Sequence, residues 1–63
     1  MKIRQALQYV RNTNGGATLD NFLEDHEPIG KELWQELRHN LYVFEDMNGR
    51  IRLTDSGNAA LDG

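Results

Sequence analysis

Seven polar side chains with cationic or hydrogen-bonding groups fall in two short stretches of this 63-residue chain. They are Lys31, Gln35, Arg38, His39, Asn48, Arg50 and Arg52. Gln and Arg can form paired hydrogen bonds with base edges, and Lys and Arg neutralise phosphates. Both stretches are therefore candidates for contact with DNA. The alternative for the first is an ordinary solvated face, because Glu32 and Glu36 lie within it. The alternative for the second is a cross-strand pair of Arg52 with Glu45 and a solvated Arg50.

No set of residues in the sequence indicates catalysis. The chain has no cysteine, which excludes a disulfide, a thiolate nucleophile and a Cys-based zinc site. Two histidines are too few for an ordinary catalytic metal centre unless carboxylates join them, and both are expected at the surface. A dyad of His26 with Glu24 or Glu27 would lack a nucleophile and an oxyanion site, and Ser56 is interpreted as a capping residue. The sequence predicts a protein that is not an enzyme and needs no metal or cofactor.

The charge balance is acidic, with 7 Lys and Arg against 10 Asp and Glu and a net charge of −3. This lowers the expectation of DNA binding without excluding it, because the distribution of charge over the surface decides. Four of the acidic residues are concentrated around a predicted second helix: Asp20, Glu24, Asp25 and Glu27. They form either a solvated face or a surface that meets a basic protein partner.

Three helices are predicted in the first two thirds of the chain. Ile3, Leu7 and Val10 lie on one helical stripe, which ends at 14–16, where two glycines favour a left-handed cap. A second helix is predicted over 18–26, capped by Thr18, and a third over 29–39, with Pro28 in its first turn. The inward stripe of the third helix is Ile29, Leu33, Leu37 and Leu41. Trp34, beside that stripe, is expected in the core, with a partner surface as the alternative, and Asn40 is expected to take the left-handed stop.

The apolar period then changes to that of a β-hairpin. Residues 42–45 are aromatic and β-branched, Asn48-Gly49 is a typical hairpin turn, and 50–53 alternate polar and apolar. A two-residue loop predicts the cross-strand pairs Phe44–Leu53, Glu45–Arg52 and Asp46–Ile51, and a three-residue loop would shift them. In the two-residue register Phe44, Ile51 and Leu53 face the core, and Arg50 and Arg52 face away. Thr54-Asp55 is expected to cap a short last helix.

The segment 37–43, followed by 48–57, resembles the wing region of winged helix-turn-helix proteins. The closing signature is Leu53-Thr54-Asp55-Ser56-Gly57, and the usual glycine after the third helix is Asn40 in this chain. The resemblance implies an α+β, mostly helical fold over a single domain, 1–63. It has a three-helix core, a two-stranded hairpin as the wing, and a short C-terminal helix. It also implies that the third helix lies in the major groove and that the wing reaches phosphates or a minor groove.

The leading functional hypothesis is a small DNA-binding transcriptional regulator, with double-stranded DNA as its partner. The alternative is a winged-helix module, of an accessory or phage type, that binds another protein and not DNA. A homodimer is possible, and the exposed apolar surface near Trp34 or Tyr42 is its expected contact. The sequence has neither an apolar run of ~20 residues nor a signal-peptide pattern, so we expect a cytoplasmic protein without a membrane partner.

Overall fold

A computed structural model describes residues 2–63 as four helices and a two-stranded antiparallel hairpin. In chain order the elements are α1 (Lys2–Thr13), α2 (Leu19–Asp25), α3 (Gly30–His39), β1 (Val43–Glu45), β2 (Ile51–Leu53) and α4 (Asp55–Asp62). The predicted α+β, mostly helical class is confirmed. No helix among residues 2–63 is long and apolar enough to cross a membrane.

The core is apolar and draws on every element. Its fully buried large side chains are Leu7, Val10, Phe22, Leu37 and Ile51, and no polar residue among 2–63 is buried. Trp34 is 6% exposed and packs edge-on against Phe22, so its predicted core position is confirmed. A core this small depends on such aromatic packing, because a short chain buries a modest share of its surface.

Local capping sets the ends of α2 and the start of α3. Thr18 caps α2 as predicted: its hydroxyl accepts from the Asn21 N–H, and the Asn21 side chain accepts from the Thr18 N–H. Pro28 lies in the turn before α3 and not in its first turn, because Ile29 is the N-cap and the helix starts at Gly30. Gly30 is needed there, since a Cβ would lie 2.8 Å from the Leu23 carbonyl oxygen.

The hairpin register differs from the prediction by one residue. The pairs are Val43–Leu53, Phe44–Arg52 and Glu45–Ile51, and the Asp46 N–H donates to the Arg50 carbonyl across a three-residue loop. As a result Val43 is buried and Phe44 is exposed, so the predicted inward position of Phe44 is wrong. Ile51 and Leu53 face the core as predicted. On its other side β2 is joined to the α1–α2 connection, because the Ile51 N–H donates to the Ala17 carbonyl.

The end of α3 is a Schellman motif with a leucine where glycine is usual. The Tyr42 N–H donates to the Leu37 carbonyl and the Leu41 N–H to the Arg38 carbonyl. Leu41 takes the left-handed conformation (φ 61°), and Asn40, predicted for it, has φ −85°. Because the chain turns there, Leu41 leaves the helical stripe and is 72% exposed, so its predicted inward position is wrong.

Helix α4 begins directly after the hairpin and is held by Thr54. The Thr54 hydroxyl accepts from the Gly57 N–H, so Thr54 is the cap, and Ser56 lies exposed inside the helix. Gly57 lies against Tyr42, the residue before β1, and a Cβ there would overlap the Tyr42 carbonyl oxygen. The glycine of the Leu-Thr-Asp-Ser-Gly signature thus allows α4 to pack against the hairpin.

Substitution of Gly57 by alanine tests this close approach. We expect Gly57→Ala to lower the free energy of unfolding by about 2 kcal/mol, because the methyl group forces α4 away from the main chain of Tyr42. Urea unfolding followed by circular dichroism measures this loss. The control, Ser56→Ala in the same turn, is expected to change stability by less than about 0.5 kcal/mol. Equal losses in the two variants would contradict the packing argument.

Substitution of Leu41 by glycine tests the backbone strain. Leu41→Gly is expected to raise the free energy of unfolding in dilute solution by about 0.5–1 kcal/mol, because glycine adopts positive φ without steric cost. Asn40→Gly is the matched control and is expected to lower stability, since its φ is negative. Thermal unfolding of the two variants beside the parent measures both effects. A destabilised Leu41→Gly would show that the side chain stabilises the monomer.

Candidate nucleic-acid interface

The exposed surface of α3 separates basic from acidic residues. At about 100° per residue, Lys31, Gln35 and Arg38 fall within about 60° of the helix circumference. Relative to Lys31, Glu32 and Glu36 lie about 100° and 140° around the helix, on the side away from Arg38. All five side chains are exposed. Glu32 and Glu36, whose charge would repel phosphate, therefore lie beside the basic residues of α3 and not among them. We call Lys31, Gln35 and Arg38 the α3 strip.

The two cations of the α3 strip have no carboxylate partner. Within residues 2–63 the ion pairs join Arg11 to Asp62 and Arg52 to Asp46, each at 2.8 Å. Lys31 and Arg38 are in neither pair. Their charges are available to an anionic ligand without the loss of an existing bond, which favours binding of a phosphate or a base edge.

A shallow, open depression of about 430 Å³ lies on the exposed side of α3. It is lined by Trp34, Gln35, Arg38 and His39. Three of the predicted contact residues are thus brought together around one depression, and Lys31 lies one turn earlier on the same helix. Such a depression offers the hydrogen-bond donors and acceptors of Gln35, Arg38 and His39 beside a largely buried Trp34.

The hairpin loop is organised by the carboxylate of Asp46. Its Oδ1 atom accepts from the Asn48 and Arg50 N–H groups at 2.8 and 3.0 Å, and its Oδ2 atom accepts from Arg52 Nε at 2.8 Å. The Arg52 guanidinium, together with these backbone donors, holds the pKa of Asp46 below its usual range. Arg52 therefore pairs with Asp46 and not with Glu45, the partner considered from the sequence.

Both hairpin arginines turn towards the connection between α1 and α2. Arg50 Nη1 donates to the Gly16 carbonyl at 3.2 Å, and the Arg52 guanidinium covers Gly15. Arg52 also lines a pocket of about 210 Å³ with Arg11 and Asn14, and this pocket shares no lining residue with the α3 depression. Asn48, Arg50 and Arg52 are exposed, as contact would require. The predicted residues thus form two groups, one on α3 and one on the hairpin, and the arginines of the second are already hydrogen-bonded.

The acidic residues around α2 remain exposed, and one of them has an internal partner. Tyr9 donates its hydroxyl proton to Asp25 at 2.6 Å, and this hydrogen bond, with partial burial, raises the pKa of Tyr9 to about 12. His26 is half-buried and stacks on Phe22 with ring centres 4.1 Å apart, so its predicted surface position is wrong. Its Nδ1 atom lies 2.8 Å from the Phe22 carbonyl oxygen at the end of α2, which draws the ring inward.

Sequence reasoning missed Asp46, although a signal for it is present. An aspartate two residues before Asn48-Gly49 can accept hydrogen bonds from the following backbone and so replace part of the turn.

Comparison of this chain with protein-family models, curated proteins and solved structures found no match.

Substitution of Arg52 tests the arrangement of the hairpin loop. A lowered pKa means that the Asp46 carboxylate stabilises the folded state above the usual pKa of aspartate, and that this contribution is lost as pH falls through the folded-state pKa. Arg52→Gln is expected to raise the pKa of Asp46 towards its usual range, since the guanidinium is the main cause of the shift. Carboxyl ¹³C chemical shifts followed against pH measure it.

The control for this titration is the second ion pair. Arg11→Gln is expected to raise the pKa of Asp62, which Arg11 holds below its usual range, and to leave Asp46 unchanged. If the titration of Asp46 were the same with and without Arg52, the hydrogen bond at Oδ2 would not exist in solution.

Proposed function

We propose that this chain is a winged helix-turn-helix protein that binds double-stranded DNA as a small transcriptional regulator. In this proposal α3 enters the major groove and the hairpin lies against the phosphate backbone. The observation that carries it is the α3 strip, where two cations without carboxylate partners flank Gln35 on one exposed side of the helix. We propose the cytoplasm, where a bacterial-type regulator would meet DNA, as its compartment.

The two surfaces contribute unequally in this proposal. Arg38 can form a bidentate pair with guanine and Gln35 with adenine, and Lys31 reaches a phosphate. In the hairpin, Asp46 and the Gly16 carbonyl compete with phosphate for Arg52 and Arg50. We therefore assign most of the affinity to α3 and a supporting role to the hairpin, where Asn48 at the exposed loop remains a contact.

A second candidate function is binding to a basic protein. The supporting observation is that Asp20, Glu24, Asp25 and Glu27 are all exposed on and just after α2. Their charge attracts a basic partner and repels DNA from that side of the molecule. This function would use α2 in place of the α3 strip. Substitutions in the α3 strip therefore separate the two candidates, because they weaken only DNA binding.

Fluorescence anisotropy of a mixed-sequence DNA duplex, titrated with the protein at low and moderate salt, tests DNA binding. We expect binding that weakens with salt, because phosphate contacts release counterions. Arg38→Ala is expected to weaken it about tenfold or more, the loss of one bidentate contact. The Arg50→Ala/Arg52→Ala double variant is expected to weaken it less and to flatten the salt dependence.

The matched control is Arg4→Ala, which removes the same charge from α1. Arg4 is exposed and acts on Asp62 at the α1–α4 contact, so its loss is expected to leave affinity nearly unchanged. Equal losses of DNA affinity in Arg4→Ala and Arg38→Ala would show that the protein attracts DNA by nonspecific charge and not through a contact at Arg38. Absence of binding at low salt by the folded protein would overturn the DNA proposal and favour the α2 surface.

A further inference from the structure

The chain contains two Asn-Gly dipeptides, Asn14-Gly15 in the α1–α2 connection and Asn48-Gly49 in the hairpin loop. Asn-Gly is the dipeptide most prone to deamidation, because glycine has no side chain to keep its main-chain nitrogen away from the asparagine carboxamide. Both asparagines are exposed, and both glycines have positive φ, 81° and 75°. The two dipeptides therefore differ only in the hydrogen bonds and charges around them.

Deamidation of an Asn-Gly dipeptide needs only water as a further reactant. The glycine nitrogen, after loss of its proton, attacks the carboxamide carbon of the asparagine. A C–N bond forms to close a succinimide ring, and the side-chain nitrogen leaves as ammonia. Water then adds to one of the two ring carbonyls and opens the ring to aspartate or isoaspartate. Because negative charge develops on the glycine nitrogen and on the carboxamide oxygen, a nearby cation accelerates the reaction and a nearby anion slows it.

The nitrogens of the two glycines have different hydrogen bonds. The Gly49 N–H donates to the Asp46 carbonyl at 3.0 Å, and the Asn48 N–H donates to the Asp46 carboxylate at 2.8 Å. These bonds hold the Gly49 nitrogen within the hairpin loop. The Gly15 N–H, in contrast, has no main-chain acceptor among residues 2–63. Its nitrogen can therefore attack without the loss of an existing bond.

The Asp46–Arg52 ion pair places opposite charges at the two dipeptides. Its negative end, the Asp46 carboxylate, accepts the Asn48 N–H, and Arg52 Nε donates to the same carboxylate at 2.8 Å. The Arg52 Cζ atom lies 2.7 Å from the position that a Cβ on Gly15 would occupy. Since that position and the Gly15 nitrogen are bonded to the same Cα, the guanidinium lies within about 5 Å of the nitrogen. At this separation its charge favours the anion that develops at Asn14.

We propose that Asn14 is a deamidation site and that the Asp46–Arg52 pair directs the reaction to Asn14 and away from Asn48. The product carries a carboxylate beside Arg11 and Arg52, which line one pocket with Asn14. In the isoaspartate product the main chain is one carbon longer. This extra carbon lies in the connection that accepts hydrogen bonds from the hairpin, so the modification acts on the attachment of the hairpin. The proposal does not rest on the DNA-binding function.

Peptide mapping by mass spectrometry, during incubation of the folded protein at mildly alkaline pH, tests the proposal. Trypsin separates the two sites, since Asn14 lies in the peptide 12–31 and Asn48 in the peptide 39–50. We expect deamidation about tenfold or more faster at Asn14 than at Asn48. In urea the two rates are expected to agree within about twofold, because only the shared dipeptide then acts. Asn14→Gln is expected to abolish the product in 12–31, which distinguishes Asn14 from the other asparagines of that peptide.

Variants of Arg52 test the role of the ion pair. Arg52→Gln, shown to be folded by circular dichroism, is expected to slow deamidation at Asn14 about fivefold or more, and Arg52→Lys to retain most of the rate because it keeps the charge. The matched control Arg4→Gln removes an exposed charge from α1 and is expected to leave the rate unchanged. Deamidation of the folded parent at Asn48 as fast as at Asn14 would overturn the proposal. An equal rate at Asn14 in the parent and in folded Arg52→Gln would overturn the role of the pair.

Discussion

The hydroxyl group of Thr54 connects three elements, and the rest of the structure depends on this junction. It donates to the carbonyl of Leu41 at the end of α3 and accepts from the Gly57 N–H at the start of α4. The Thr54 N–H also donates to the Tyr42 carbonyl, which closes the hairpin. Because these bonds converge on 41–42, the direction in which the chain leaves α3 fixes the position of the hairpin. The α3 strip and the hairpin are therefore held as one unit by local bonds, which a thin core could not achieve alone.

The elements could be predicted from the sequence because apolar period, caps and breakers agree in each of them. The ends of α2 follow from Thr18 and Pro28, and the start of α4 from Thr54, within a residue or two. The hairpin register could not be predicted, because it depends on whether the loop has two or three residues. The Asp46 side chain decides that question by bonding to Asn48 and Arg50, and tertiary contacts of β1 bury Val43.

The candidate site was predictable as a set of exposed residues, but not in the bonds that those residues make. Helical spacing alone separates Lys31 and Arg38 from the neighbouring glutamates. The positions of Arg50 and Arg52 depend instead on the connection between α1 and α2, which is distant in sequence and lies beside β2 only after folding. Hairpin arginines that look free in the sequence are therefore used in part for structure.

The acidic composition and the basic strip are compatible because charge is divided among elements. Six of the ten acidic residues lie around α2 and on one side of α3, whereas the α3 strip keeps its cations free of carboxylates. The exposed large apolar residues among 2–63 are confined in the same way to the end of α3 and to β1 and the hairpin loop. Each chemical property thus occupies its own surface.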